Sequence, residues 1–135
     1  MSHYGPGIPL VVDTSAFVRQ REPDVLPRWE ATLRAGLVAC CPVAALEILA
    51  SARDAAGFAA LDGALAALLQ APVTAAACAA ALAASRALGG SRRIPAADYL
   101  IAAAAAERGF GVLHEDRHFD VLATVLGFES VHVRA

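Results

Sequence analysis

The sequence predicts a parallel α/β sandwich in three layers, with helices on both faces of the sheet. Short runs rich in valine, isoleucine and leucine alternate with longer helix-like segments, which is the order of parallel strands joined by helical crossovers. These runs are apolar almost throughout instead of at every second position, so we expect strands that are buried on both faces. About a quarter of the 135 residues are alanine and only 6% are aromatic, which predicts helices packed closely through small side chains. The length fits one domain, residues 1–135.

The first half of the chain opens with an apolar run that stops at Asp13. Asp13 and the two hydroxyl residues after it are typical of a strand end followed by a helix start. Gly36 stands where a helix C-cap is expected, and Pro42 where a helix begins. In chain order the predicted elements are a strand at 8–12, a helix at 28–35, a strand at 37–41 and helices at 42–54 and 58–70.

The second half continues the alternation without a linker or an internal repeat. Thr74 is a candidate N-cap, Pro95 opens a helix that is nearly pure alanine in its middle, and Gly109 ends that helix. The predicted elements are a short strand at 71–73, a helix at 75–88, a helix at 95–108, a strand at 111–114, a helix at 117–126 and a strand at 129–133.

Composition excludes several kinds of protein. All 11 basic side chains are arginine, so the lysine of a Walker-type phosphate loop or of a Schiff-base enzyme is missing. The three cysteines, Cys40, Cys41 and Cys78, lack metal-ligand spacing, and we expect buried, reduced thiols. The amino terminus lacks the basic region of a secretory signal, and the stretch 75–84 is too short and too weakly hydrophobic to span a membrane. We therefore expect a soluble cytoplasmic protein.

Four carboxylates stand out because their neighbours are apolar: Asp13, Glu47, Asp98 and Asp116. Each has an ordinary explanation. Asp13 could cap the next helix, and Asp98 in a first helical turn is favoured by the helix dipole. Glu47 could lie on a solvated helical stripe with Ser51 and Asp54.

A parallel sheet gives these acids a common location. The carboxyl ends of the strands meet at one edge, and ligand sites form there where the strand order reverses. Four carboxylates crowded at that edge would repel one another and raise one another's pKa values unless a cation neutralised them. Oxygen ligands select hard divalent cations such as Mg²⁺ or Mn²⁺, which usually keep waters that a substrate phosphate can replace. The sequence therefore predicts a divalent-metal site.

Four segments resemble the PIN-domain ribonucleases, and specifically the VapC-type toxins of bacterial toxin–antitoxin pairs. They are DTSAF at 13–17, Glu47 after Pro42, IPAADYLIAA at 94–103 around Asp98, and VLHEDRHFD at 112–120 around Asp116. Each motif alone is short. Four of them in this order, spread over nearly the whole chain of a domain of this length, make the resemblance specific.

The resemblance implies an α/β/α sandwich with a mainly parallel sheet of about five strands. It also implies an endoribonuclease that hydrolyses RNA with Mg²⁺ or Mn²⁺, acts as a toxin, and is neutralised by a cognate VapB-type antitoxin. A homodimer is expected on the same grounds.

Carried over by position, the resemblance implies roles for individual residues. Asp13, Glu47, Asp98 and Asp116 become the acidic catalytic residues. We assign Asp13, Asp98 and Asp116 to holding the metal, and Glu47 to a shared-ligand or water-orienting role.

The neighbours of these acids leave open questions. Ser15 takes the place of a small hydroxyl residue that hydrogen-bonds beside the first acid. His114 stands where many relatives carry serine or threonine, which leaves its hydrogen-bonding role open. Asp120, one helical turn beyond Asp116, competes with it for the role of fourth acid.

Arginines near these segments are candidates for contacts with RNA phosphates. Arg92 and Arg93 precede the helix of Asp98, Arg117 adjoins Asp116, and Arg19 and Arg21 follow the first strand. The alternative is an ordinary solubilising role.

Two histidines and one apolar region allow more than one interpretation. His114 and His118 could bind zinc together with Asp116, but a local hydrogen bond for His114 and a position near the mouth of the site for His118 are favoured. The helices of region 58–84 carry few charges, which suits the core, a homodimer interface or an antitoxin groove. Trp29 fits either core packing or a partner contact.

Two other functions stay open. One is a catalytically inactive PIN-like binding module, although all four acids are present. The other is a Mg²⁺-dependent phosphatase on another doubly wound sheet, which is disfavoured because Ser15 stands where such enzymes place the second acid of their first motif.

Overall fold

A parallel sheet lies at the centre of the structure, a computed structural model that describes residues 2–134. Its strands are β1 (Leu10–Val12), β2 (Val38–Cys40), β3 (Leu69–Gln70), β4 (Gly111–His114) and β5 (Ser130–His132). They lie in the order β3-β2-β1-β4-β5, and every neighbouring pair is parallel. The predicted sandwich around a parallel five-stranded sheet is confirmed.

Helices connect the strands and cover both faces of the sheet. They are α1 (Thr14–Phe17), α2 (Leu26–Arg34), α3 (Pro42–Leu49), α4 (Ala55–Ala66), α5 (Ala75–Leu88), α6 (Ala96–Glu107) and α7 (Arg117–Leu126). Val11 packs into a core with residues of α3, α6 and α7, whereas Leu10 and Val12 pack with residues of α1 and α2. Successive side chains of β1 thus enter opposite layers, as the pleat of a strand requires.

Trp29 of α2 belongs to the core. Its side chain is buried, and its ring meets Phe17 edge-on with ring centroids 6.1 Å apart. Of the two interpretations that the sequence allowed, core packing is the one that the structure supports.

The topology places a switch point between β1 and β4. From β1 the chain continues to β2 and β3 on one side, and then returns to β4 and β5 on the other. The carboxyl ends of β1 and β4 are therefore where a ligand site is expected in such a sheet. The strands also approach closely at their opposite, amino ends, because a Cβ atom on Gly111, the first residue of β4, would lie 2.7 Å from the Glu129 carbonyl oxygen and from Leu10 Cδ2.

The third strand lies earlier than predicted. It is Leu69–Gln70 rather than 71–73, and the helix before it ends at Ala66 rather than at residue 70. The Gln70 side-chain amide donates to the Leu65 and Leu68 carbonyls at the helix end. Pro72, which has no N–H to give to a strand ladder, lies just beyond.

The predicted boundary between the third and fourth helices was also wrong. α3 ends at Leu49 rather than at residue 54, and α4 begins at Ala55 rather than at residue 58. Asp54 is the reason, because its Oδ1 accepts a hydrogen bond from the Gly57 N–H at 2.7 Å and caps α4. Asp54 therefore does not share a helical stripe with Glu47.

The cysteines are only partly as expected. All three are free thiols, and Cys40 and Cys41 are buried, but Cys78 is exposed on α5. Burial raises the pKa of Cys40 to about 11, so this thiol is protonated at neutral pH. Among the described residues, no helix combines the length and apolar character needed to cross a membrane.

Candidate active site

Asp13 directly follows β1 and is buried. Its backbone N–H donates to the Leu113 carbonyl at 2.9 Å, which ties the end of β1 to β4. Its Oδ2 accepts hydrogen bonds from the Ser15 N–H at 3.1 Å and from the Ser15 hydroxyl at 2.6 Å. The Ser15 oxygen in turn accepts the Glu115 N–H at 2.9 Å. Ser15 thus joins the first acid to the turn that follows β4.

Asp116 follows β4 and caps α7. Its backbone is extended, with φ −143° and ψ 122°, and its Oδ1 accepts the His118 N–H at 2.9 Å. Its own N–H donates to Nδ1 of His114 at 3.0 Å. The backbone N–H and the carboxylate of Asp116 are therefore both held by hydrogen bonds to neighbours in the same turn.

Asp98 lies in the first turn of α6, at 7% exposure. His118 Nδ1 lies 3.1 Å from Asp98 Oδ2 and 3.2 Å from Asp116 Oδ1, so one ring nitrogen bridges the two carboxylates. Ligand atoms of Asp98, Asp116 and His118 all lie within 4.8 Å of one another, the spacing of a group that could hold a metal ion. The structure thus brings together two of the predicted acids and adds a histidine.

Burial dominates the electrostatics of Asp98. It raises the pKa of this carboxyl to about 6, against the lowering effect of the His118 hydrogen bond. The nearby negative charges of Asp13 and Asp116 raise it further. The charges of two predicted acids thus act through space on the third.

Glu47 is the outermost of the four acids. It is exposed on α3, and its Oε1 accepts a hydrogen bond from the hydroxyl of Thr14, the residue after Asp13, at 3.2 Å. It borders an open cleft of about 770 Å³ that is also lined by Arg21 and Arg53. Glu47 is therefore placed beside the first acid, on the solvent side.

Asp120 belongs to a different cluster. Its Oδ1 accepts from the Ser130 hydroxyl at 2.7 Å and its Oδ2 pairs with His132 Nε2 at 2.8 Å. Ligand atoms of Asp120, His132 and His114 form a second close group. Of the two competing acids, Asp116 is the one that lies with Asp98.

His114 and His118 do not converge as a zinc site would require. His114 is completely buried and bonds to Ser130 and to the Asp116 backbone, whereas His118 faces Asp98. Burial lowers the pKa of His114 to about 4, and the neighbouring His132 lowers it further. The favoured local role for His114 agrees with this geometry.

The contact of His118 with two acids is the functional feature that sequence reasoning missed. The histidine is the second residue of α7, two positions after the capping Asp116. That spacing places the ring above the cap, but its approach to Asp98 depends on how α6 and α7 pack. Arg92, Arg93 and Arg117 are exposed, the first two in the loop before α6 and the third at the start of α7.

Comparison with known proteins reveals a family. A sequence profile of the PIN domain matches residues 10–125. Ribonuclease VapC18 of Mycobacterium tuberculosis is 37% identical over 121 residues, which cover 86% of this chain and 88% of that protein. Ribonuclease VapC51 of the same organism is 38% identical, with 87% of each chain covered.

A solved structure agrees with these relatives. It is a member of the VapBC family of toxin–antitoxin systems, VapBC-5 of Mycobacterium tuberculosis, to which this chain is similar with a TM-score of 0.67. The two are 26% identical, and the match covers 96% of this chain and 100% of that one.

The raised pKa of Asp98 predicts how stability depends on pH without added metal. A carboxyl whose pKa is higher in the folded state than its ordinary 3.8 destabilises the fold once it ionises, so stability falls as the pH rises through about 6. In a chelating buffer, Asp98→Asn should raise the free energy of unfolding by about 1–3 kcal/mol at pH 8. The gain should disappear by pH 4.

Urea unfolding of both proteins at several pH values measures this effect. Asp62→Asn, on an exposed position of α4, is the matched control. A gain from Asp98→Asn of the same size at pH 8 and pH 4 would show that ionisation of this carboxyl is not its cause.

Proposed function

The chain belongs to the PIN domain family, among the VapC-type proteins, and from that membership we propose that it is a metal-dependent endoribonuclease that acts as the toxin of a toxin–antitoxin pair. The observation that carries the proposal is the meeting of Asp98, Asp116 and His118 at the edge where Asp13 ends β1. The ribonuclease names of two relatives support the same activity.

The donor set fits a hard divalent cation such as Mg²⁺ or Mn²⁺. Asp13, Asp98 and Asp116 offer carboxylate oxygens, the ligands that such ions prefer. A buried carboxyl beside two other negative charges gains most from added positive charge, which is the situation of Asp98. These three residues would hold the ion.

Phosphodiester hydrolysis requires an activated water, neutralised phosphoryl oxygens and a stabilised leaving oxygen. A bound divalent ion supplies charge neutralisation and water activation. The chain's own residues provide the geometry around it. His118 keeps the Asp98 and Asp116 carboxylates side by side, and Ser15 holds Asp13 against the turn after β4. Glu47, exposed beside Thr14, would orient a water or share the ion.

RNA cleavage is the direct test. Purified protein should cut a mixed cellular RNA pool when Mg²⁺ or Mn²⁺ is present, and chelator should abolish the cleavage. Asp98→Asn should slow it by about 100-fold or more, because the variant loses one charged ligand. Gel analysis of the RNA over time measures both effects.

Asp62→Asn is the matched control, because it makes the same chemical change on an exposed helix face. Cleavage that persists in Asp98→Asn would point to a contaminating nuclease. If metal-loaded protein cuts neither the pool nor purified structured RNAs, the inactive binding module becomes the better description.

We assign phosphate contacts to Arg92, Arg93 and Arg117, since all three are exposed, the first two in the loop before the helix of Asp98 and the third directly after Asp116. Arginine suits this role because its planar group can bind phosphate oxygens in pairs. Helices in this fold run back against the strands, so the opposite edge of the sheet carries other arginines, such as Arg34 and Arg108 at the ends of α2 and α6.

Salt dependence separates these two groups of arginines. Replacing Arg92 and Arg93 together by alanine should weaken RNA binding and reduce the slope of log K against log salt by about 1.4, or about 0.7 for each lost contact to single-stranded RNA. The double variant Arg34→Ala/Arg108→Ala should leave the slope unchanged. Fluorescence anisotropy in the Asp98→Asn background measures binding without cleavage. Equal slopes in both double variants would contradict the assignment of phosphate contacts to Arg92 and Arg93.

The partners we propose are an RNA substrate, a VapB-type antitoxin and a second copy of the chain. An apolar groove of about 390 Å³ between α5 and α6, lined by Leu82, Tyr99 and Leu100 among others, suits the homodimer. Leu82 is 57% exposed there, so a second copy that covers the groove would remove this large apolar side chain from water. The VapBC-5 likeness supports the antitoxin, whose binding would block the cleavage described above.

The dimer predicts a measurable mass. Light scattering should give the wild-type chain twice its 13.9 kDa, and Leu82→Arg should return it to the monomer because a charge in an apolar interface loses its hydration. Leu46→Arg, at a position on α3 that is 70% exposed, is the control and should remain dimeric. A monomeric wild type at micromolar concentration would exclude the homodimer.

A further inference from the structure

A continuous chain of hydrogen bonds leads away from Asp116 at the carboxyl ends of β4 and β5. The Asp116 N–H donates to His114 Nδ1 at 3.0 Å, and His114 Nε2 lies 2.6 Å from the Ser130 Oγ. The Ser130 hydroxyl donates to Asp120 Oδ1 at 2.7 Å, and Asp120 Oδ2 pairs with His132 Nε2 at 2.8 Å. Neither Ser130 nor His132 belongs to a motif from which the sequence predicts a site.

The first of these bonds determines which nitrogen of His114 carries the proton. A backbone N–H can only donate, so Nδ1 must accept with its lone pair. The proton of the neutral ring is then on Nε2, where it donates to Ser130. The Ser130 hydroxyl is free to accept this hydrogen bond, because its own hydrogen is donated to Asp120. Each donor in the chain faces an acceptor in one consistent arrangement.

The turn after β4 depends on side chains for its hydrogen bonds. The N–H groups of Glu115 and Asp116 follow the last ladder residue and are accepted by Ser15 Oγ and His114 Nδ1, respectively. Buried or half-buried amides need such partners. The Asp116 amide nitrogen is bonded to Cα, which carries the side chain. A hydrogen bond that fixes this N–H therefore restricts the direction in which the carboxylate points.

We propose that His114 is a positioning residue, whose Nδ1 holds the Asp116 backbone so that its carboxylate stays beside Asp98 and His118, with Ser130 and Asp120 keeping the ring in the required tautomer. The inference rests on the proposed function for its catalytic meaning. It assigns separate roles to the two competing acids: Asp116 faces the candidate metal centre, and Asp120 supports the ring that orients Asp116.

A second metal site is the competing explanation of the same cluster. Ligand atoms of His114, Asp120 and His132 do lie close together. The hydrogen bond from Asp116 disfavours it, because a neutral His114 with Nδ1 as acceptor has no lone pair left on Nε2 for an ion. Coordination there would require an imidazolate or the loss of the Asp116 bond.

Nuclear magnetic resonance of the uniformly ¹⁵N-labelled wild type tests the arrangement without any assay of activity. Through-bond coupling is expected between the Asp116 amide nitrogen and His114 Nδ1, together with ring shifts that show a protonated Nε2 and an unprotonated Nδ1. A protonated Nδ1 would overturn the proposal. The proposal would also be overturned if the chemical shifts of the His114 and His132 ring nitrogens changed on addition of Zn²⁺ and the change was complete at one ion per protein.

Two variants separate positioning from space filling. His114→Asn keeps an acceptor near the place of Nδ1, whereas His114→Leu has a similar volume and no acceptor. We expect His114→Leu to lower both Mn²⁺ affinity and kcat by about 10–100-fold, the usual cost of losing a group that orients a metal ligand. His114→Asn should stay within about threefold of wild type in both quantities. If the ring only filled space, leucine would be tolerated better than asparagine.

The outcomes distinguish this inference from the proposed function. Suppose that the wild type cuts no RNA, but that His114→Leu binds Mn²⁺ less tightly than His114→Asn does. This result would refute the nuclease and keep the positioning role. A wild type that cuts RNA, with His114→Leu equal to it in kcat and Mn²⁺ affinity, would refute the positioning role alone. If His114→Leu does not fold, the coupling measured in the wild type still tests the hydrogen bond from the Asp116 N–H to His114 Nδ1, which the proposal requires.

Discussion

The burial of the Asp98 carboxyl is the constraint on which the candidate site depends. A carboxylate removed from water must be compensated by hydrogen bonds or by opposite charge. His118 supplies one hydrogen bond, while the charges of Asp13 and Asp116 act against ionisation. The site thus concentrates negative charge where the surroundings compensate it only in part. Bound positive charge relieves that repulsion, which links the topology of the sheet to metal chemistry.

Side chains hold together the turn on which this arrangement relies. The strand ladder ends at His114, and beyond it the backbone amides of residues 115 and 116 are accepted by Ser15 and by His114 itself. Ser15 comes from the segment after β1, so the two strand ends at the switch point are joined by a hydrogen bond as well as by their ladder. A displacement of either turn therefore moves Asp13 and Asp116 together.

Local signals predicted where Asp13, Asp98 and Asp116 lie in the fold, because strand ends and helix starts are local features. Asp13 and Asp116 were located by the apolar runs before them, and Asp98 by its place in a first helical turn. The choice between Asp116 and Asp120 was not local. Asp116 has the extended backbone of a cap and lies close to Asp98, whereas Asp120, inside the helix, pairs with His132.

The features that sequence reasoning misplaced or missed depend on tertiary packing. β3 has two residues, both exposed, and so short a strand carries no periodicity from which to predict it. His118 reaches Asp98 only because α6 and α7 lie against each other. That packing follows from α6, whose Ile101 and the alanines at 102–105 are all buried. Small side chains let the helix lie deep between the sheet and α5, and this depth also removes Asp98, in its first turn, from water. The alanine content that stabilises the fold by close packing is therefore also the cause of the raised pKa at the candidate metal centre.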